Sequence, residues 1–243
     1  MGFKILRLFC HVLYDKINAK TCQNPRKFIT KNYQTARQWF EKSAAQGNSD
    51  AQVGLGILYK DGLGVGQNYP SAYQWFSKAA AQNHAEAQYA LGILYEHGWG
   101  VKQNYQAARQ WFEKAVAQNH AGAQSNLGNL YVHGRGVTQN YQTARQWFEK
   151  AAAQNHATAQ HNLGSLYALG WGVKQDYQAA RKWYEKAAAQ NHAVAQYGLG
   201  SLYYNGYGVA KNDQTARQWF EKAAAQNHED AKKALEILKS QGH

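Results

Sequence analysis

The chain has 243 residues, 44% of them hydrophobic, which is enough to bury a substantial core in one domain or one continuous array. Two prolines and two cysteines exclude a collagen-like chain and a disulfide-stapled miniprotein, and no apolar run approaches the length of a bilayer span. The net charge of +12 suggests an anionic partner only until its distribution is read: half of it lies in residues 1–32, where seven cations face Asp15 alone, and elsewhere Lys and Arg alternate with Glu as on a solvated surface.

Residues 1–31 form a basic N-terminal segment of their own. Phe3–Tyr14 is apolar but broken by Lys4, Arg7 and His11, and no small-residue cleavage site comes after it, so it makes a poor secretory signal. Phe9 before Cys10 also lacks the small residue of a lipoprotein site. We read the segment as a helix capping the remainder of the chain, with contact to a membrane surface as the alternative. Cys10 and Cys22 pair only in an oxidising compartment, and two cysteines do not identify one. With neither a signal peptide nor a span in view, the sequence favours the cytoplasm and leaves the compartment open.

From residue 32 the chain repeats itself. Trp39, Trp75, Trp111, Trp147, Trp183 and Trp219 are each 36 residues apart, inside a string such as Asn140–His156 that recurs almost unchanged. That string is rich in Ala, Gln, Glu and Lys and is preceded by Asn32, Asn68, Asn104, Asn140, Asp176 or Asn212, residue types that cap a helix. Pro70 fits in its first turn, and Gly47, Asn83, Asn119, Asn155, Asn191 and Asn227 close it in the left-handed conformation. This is helix B. A second string, typified by Ala85–Tyr95, is helix A and ends in a Gly-x-Gly-Val turn. The predicted order is a leading helix B (33–46), five A–B pairs (49–82, 85–118, 121–154, 157–190, 193–226) and a last helix A (229–240), with 241–243 as a tail. Neither helix hides its apolar stripe alone, so neighbouring units must cover one another. Lys232, Glu236 and Lys239 in the last helix replace Gln, Gly and Tyr and give the array a polar end.

The pattern Ala-x-Ala-Gln-x-x-Leu-Gly-x-Leu-Tyr-x-x-Gly-x-Gly-Val, then Ala-Arg-x-Trp-Phe-x-Lys-Ala-Ala, resembles the Sel-one-like repeat, a relative of the tetratricopeptide repeat, over residues 32–240. The resemblance implies an all-α, right-handed superhelical solenoid of antiparallel helix pairs, mostly bacterial, that serves as a scaffold for protein partners. Cysteine-rich relatives described as β-lactamases or penicillin binders have a cysteine pair bridging each repeat; here Cys10 and Cys22 both lie outside the repeats.

The five copies of helix A form their own comparison set. The columns starting at Ala51, Gln52, Leu55, Gly56, Leu58 and Tyr59 hardly change, whereas those starting at Asp50, Val53, Gly54, Ile57, Lys60 and Asp61 vary. At about 100° per residue the two sets take opposite sides, so the constant side should stack and the varied side face out along the concave surface. Val53, Ile57, Tyr89 and Ile93 would form an apolar end, Ser125, Asn126, Asn129, His161, Asn162 and Ser165 a polar middle, and Tyr197, Ser201 and Tyr204 an aromatic end. Amides that both donate and accept suit an extended peptide backbone. The turn tips Leu63, Trp99, Arg135, Trp171 and Tyr207 vary between fixed glycines; they form either a binding edge or rings folded back on their own repeat.

The histidines His84, His120, His156, His192 and His228 lie one repeat apart, too far to share a metal, and read as turn residues. No Ser-x-x-Lys, Lys-Thr-Gly, His-Glu-x-x-His or Gly-x-Ser-x-Gly string occurs, and the acids pair with bases four residues away, as in Arg109 and Glu113. The reading is therefore a non-enzymatic scaffold for a protein or peptide, with no cofactor and no metal. The alternative, implied by the cysteine-rich relatives, is binding or hydrolysis of β-lactams or cell-wall fragments. Nucleic-acid binding through residues 1–31 ranks below both.

Overall fold

The structure, a computed structural model, describes residues 25–240, with side chains from Asn32 onward. The readings of Phe3–Tyr14, Cys10 and Cys22 lie outside the described residues. Twelve helices and no strand occur among the described residues: α1 (Pro25–Ala45), α2 (Ser49–Asp61), α3 (Tyr69–Ala81), α4 (Ala85–His97), α5 (Tyr105–Ala117), α6 (Ala121–His133), α7 (Tyr141–Ala153), α8 (Ala157–Leu169), α9 (Tyr177–Ala189), α10 (Ala193–Asn205), α11 (Asp213–Ala224) and α12 (Glu229–Ser240). The fold is an all-α solenoid with the expected 36-residue period. It divides into two compact units, up to Ala123 and from Gln124.

The caps explain where the helices begin and stop. Asn68, Asn104, Asn140, Asp176 and Asn212 each accept from the backbone N–H three residues on, at 2.8–3.0 Å, satisfying a donor that the first turn leaves orphaned. Asn32 departs from the expectation: α1 begins at Pro25 and runs through it, so Asn32 caps nothing. At the far ends of the B helices, Asn83, Asn119, Asn155, Asn191 and Asn227 all have φ near +60°, the left-handed closure read from the sequence.

The recurrent histidines turn out to be caps as well. Nδ1 of His120, His156, His192 and His228 accepts from the N–H three residues on at 3.1–3.3 Å, opening the next helix A. His84 differs in that its side chain caps nothing; its Nε2 meets Asp50 at 2.9 Å, much as His120 Nε2 meets Glu86 at 3.1 Å.

Two devices join helix A to helix B within each A–B pair. The first is the mid-helix glycine: a Cβ on Gly56, Gly92, Gly128, Gly164 or Gly200 would lie 2.3–2.5 Å from a ring of the next helix B, namely Phe76, Phe112, Phe148, Tyr184 or Phe220. Those rings are buried, so the glycine is the slot that admits them. In α12 Glu236 takes this position, consistent with a polar terminal helix. The second device is a polar clamp: Gln52, Gln88, Gln124, Gln160 and Gln196, all at most 5% exposed, accept from the Gln that ends the next helix B at 2.7–2.9 Å. Gln88, Gln160 and Gln196 also donate to Asn83, Asn155 and Asn191, which fixes these buried amides.

On the other side of helix B, Lys78, Lys114, Lys150, Lys186 and Lys222 lie 4.0–4.3 Å from the centroid of the Trp three residues before. Arg37, Arg109, Arg145 and Arg181 reach Glu41, Glu113, Glu149 and Glu185 at 3.4–3.7 Å, as the spacing predicts. Such half-exposed pairs contribute about 0.3–0.5 kcal/mol each. No described helix is long and apolar enough to cross a membrane.

Candidate partner-binding faces

In the unit ending at Ala123, Tyr89 packs at 5.9 Å against Phe112 and stacks at 4.6 Å on His120, residues of the next helix B and of the cap beyond it. Burial, with the nearby Glu86 and Glu96, pushes its hydroxyl up to about 12. The column that starts at Val53 thus lies in the seam between neighbouring helices. Its variation tracks packing as much as exposure. Val53 itself is 4% exposed and Ser125, in the second unit, 1%; both are corrected from the outward set to the interior, because a short side chain in this seam is covered over. Ile57 and Ile93 are half-buried, Ile57 against the core around Phe76.

In the unit from Gln124, the polar middle is held together. Asn162 Nδ2 donates to Asn129 Oδ1 at 3.0 Å, and His161 Nδ1 lies 3.1 Å from Asn162 Oδ1. His161 Nε2 lies 3.4 Å from Ser165 Oγ, which in turn meets the Tyr184 hydroxyl at 3.2 Å. This arrangement needs a neutral imidazole with its proton on Nδ1 and an acceptor at Nε2. Burial, and secondarily the charge of His192, pulls His161 down to about 4, partly offset by Asn162. His161 also stacks on Tyr184 and His192, at 5.6 and 5.2 Å. Asn126 is half-buried. Farther on, Tyr197 stacks on His228 and tilts against Phe220, Ser201 Oγ donates to the Tyr197 carbonyl, and Tyr204 is half-buried under Lys211.

The turn tips differ between the two units. Trp99 is half-buried, stacked on Tyr69 at 5.2 Å and on His97 at 4.5 Å. Trp171 stacks on Tyr141 at 5.0 Å and Tyr207 on Tyr177 at 4.8 Å, yet they remain 39% and 47% exposed. Rings therefore fold back over the preceding helix B while two of them keep accessible surface. Arg135 is exposed and Leu63 half-buried. Among the described residues no three His, Cys, Asp or Glu side chains are grouped as metal ligands would be.

Six tandem matches to the Sel1 repeat cover residues 22–48, 49–84, 85–120, 121–156, 157–192 and 193–228. The chain belongs to the Sel1 repeat family. A Sel1 repeat protein from Oxalobacter formigenes is similar at 37% identity and a TM-score of 0.77, over 84% of this chain and 82% of that one. A protective antigen of uropathogenic Escherichia coli strains, displaying an SLR fold, is similar at 34% identity and a TM-score of 0.70; the match covers 87% of this chain but only 45% of the antigen. An immunity protein from Pseudomonas aeruginosa is similar at 25% identity and a TM-score of 0.54, over 75% of this chain and 66% of that one. No curated protein matches the chain. Sel1 repeat proteins generally mediate protein–protein interactions, and the fold is typically a non-enzymatic scaffold.

Sequence reasoning missed two features of this Sel1 array. The Gln clamp hides among unchanging positions that packing alone seemed to explain. The Tyr184 hydroxyl was legible, since Tyr184 replaces Phe in the repeat that also carries His161 and Ser165.

Proposed function

We propose that this Sel1 array is a binding protein rather than an enzyme, and that its helix-A face from Asn126 to Tyr204 receives an extended peptide of a protein partner. The observation that carries the reading is the Asn129, Asn162, His161, Ser165 network, which holds amide and hydroxyl groups in place before any ligand arrives. Asn129 uses only its carbonyl oxygen in that network, and its Nδ2 donors are left for a peptide carbonyl. Preordering of this kind lowers the entropy cost of binding. Tyr197 and Tyr204 supply contact area on the same face. In the unit ending at Ala123, Ile57, Tyr89 and Ile93 offer a more apolar counterpart.

Peptide display on the purified protein tests this. Enriched peptides should lose about tenfold or more in affinity against Asn129→Ala/Asn162→Ala at unchanged helicity. Failure to enrich any peptide, or equal binding by the variant, refutes the assignment. Nitrocefin turnover by the pure protein would instead favour the β-lactam alternative.

A further inference from the structure

Among the described residues the array starts on a helix B, α1, with no helix A before it. Elsewhere the tryptophan of helix B rests on the core built by the preceding helix A. Trp75 packs against the cluster of Ala51 and Leu55, Trp183 against that of Leu163 and Leu166, and Trp219 against that of Leu199 and Leu202; all three are half-buried. Trp39 in α1 is 63% exposed. Phe40 is only half-buried, whereas Phe76, Phe112 and Phe148 in the same column are at most 1% exposed. It meets α2, where a Cβ on Gly54 would lie 2.9 Å from its ring, but has no glycine slot of a preceding helix A to enter. Lys42 lies 5.4 Å from the Trp39 centroid, against 4.0–4.3 Å in the later repeats, so this ring is also held less closely by its own helix.

The missing cover is not a helix A in the usual register. The turn into helix B spans positions such as 62–67; the equivalent 26–31 reads Arg-Lys-Phe-Ile-Thr-Lys, and α1 is helical throughout it. The α12 helix of a second copy is a poor substitute, because Glu236 stands where helix A needs the glycine that admits such a ring. The same chain offers a better occupant in Phe3–Tyr14. On a helical wheel Lys4, Arg7 and His11 gather on one stripe, and Ile5, Leu6, Phe9, Val12 and Leu13 on the opposite one. The ten residues Asp15–Asn24 span up to about 33 Å, and Trp39 lies about 21 Å along α1 from Pro25, so the stretch reaches it. We propose that Phe3–Tyr14 docks as a helix along α1, with its apolar stripe over Trp39 and Phe40 and its cations outward. The docked helix gives the first end of the array the polar outer face that a terminal repeat needs in water. It uses none of the residues argued for peptide binding and stands independently of that reading.

Photo-cross-linking of the full chain, with p-benzoylphenylalanine in place of Trp39, reads the contact directly. The cross-links, mapped by mass spectrometry, should fall on residues 3–14 of the same chain and persist on dilution. Cross-linking to a second copy, or none to residues 3–14, overturns the proposal. So does co-sedimentation with vesicles of phosphatidylglycerol and phosphatidylcholine in the absence of the internal cross-link, which would give the stretch to a membrane surface instead. Amide hydrogen exchange supplies a second readout. Phe9→Asp/Leu13→Asp should speed exchange at Trp39–Ala44 about tenfold or more and leave α4 and α5 unchanged. Phe9→Leu/Leu13→Ile keeps the stripe apolar and should stay within about threefold of the parent. Exchange in α1 that ignores the aspartates, or that changes equally in α4 and α5, also overturns the docking.

Discussion

Gly92→Ala tests the packing logic most sharply, because two effects of opposite sign meet at one atom. Alanine in a helix interior is favoured over glycine by about 1 kcal/mol, so propensity alone predicts stabilisation. The new Cβ, however, would lie 2.3 Å from Phe112 Cε1, 2.4 Å from Cδ1 and 3.0 Å from Cζ. Carbon contacts settle at about 3.5–4.0 Å, so the ring must retreat by about 1 Å. Phe112 is fully buried with Tyr89 against it, and the retreat forces α4 and α5 apart. Overpacking of this kind costs about 3 kcal/mol at its upper end. The net expectation is a loss of about 2 kcal/mol, read by urea unfolding and by faster amide exchange in α4 and α5. Gly66→Ala, with no atom near its Cβ, should be close to neutral. In Gly92→Ala/Phe112→Leu, where the clashing ring is gone, the two losses should fall short of additivity by about 1 kcal/mol or more. A Gly92→Ala protein as stable as the parent, or strictly additive losses, would refute the slot argument.

Acid should loosen the second unit. The folded-state pKa of His161 lies near 4, below the ordinary 6.5, so between those values the unfolded chain binds the extra proton, and its contribution to stability is lost as pH falls from 6.5 towards 4. The gap corresponds to about 3 kcal/mol; His192, also lowered by burial, adds in the same direction. His161→Tyr, which copies Tyr89 and Tyr197, should reduce the difference between urea midpoints at pH 7 and pH 4.5. Gln160→Ala should cost about 2 kcal/mol in thermal or urea unfolding, because it removes the hydrogen bonds that a buried amide makes to Asn155 and Gln190, each contributing about 1 kcal/mol. Asn155→Gly keeps the left-handed backbone and loses only the side-chain bonds, so it should be less damaging than Asn155→Ala by about 1 kcal/mol in the same assay.

The period of 36, the helix ends and the solenoid class were legible because they depend on local chemistry. A capping Asn, a left-handed Asn and an amphipathic stripe act within a few residues of themselves, and repetition states the message several times. Asn32 shows the limit of that reasoning, since a good cap residue does not cap when the preceding chain continues the helix. The histidines show it from the other side: their turn position was plain, but which ring nitrogen meets which backbone N–H is a matter of geometry.

Sequence variation by itself separated changing columns from constant ones. Only the tertiary structure decided that Val53 and Ser125 are interior while Asn129 and Asn162 remain reachable, and that Trp99 is half-buried while Trp171 and Tyr207 keep more of their surface open. The physical reason is that exposure belongs to the neighbouring helix as much as to the residue: whether Phe112, His120 or Tyr69 closes over a position depends on how the helices pack, which no single stretch of chain records.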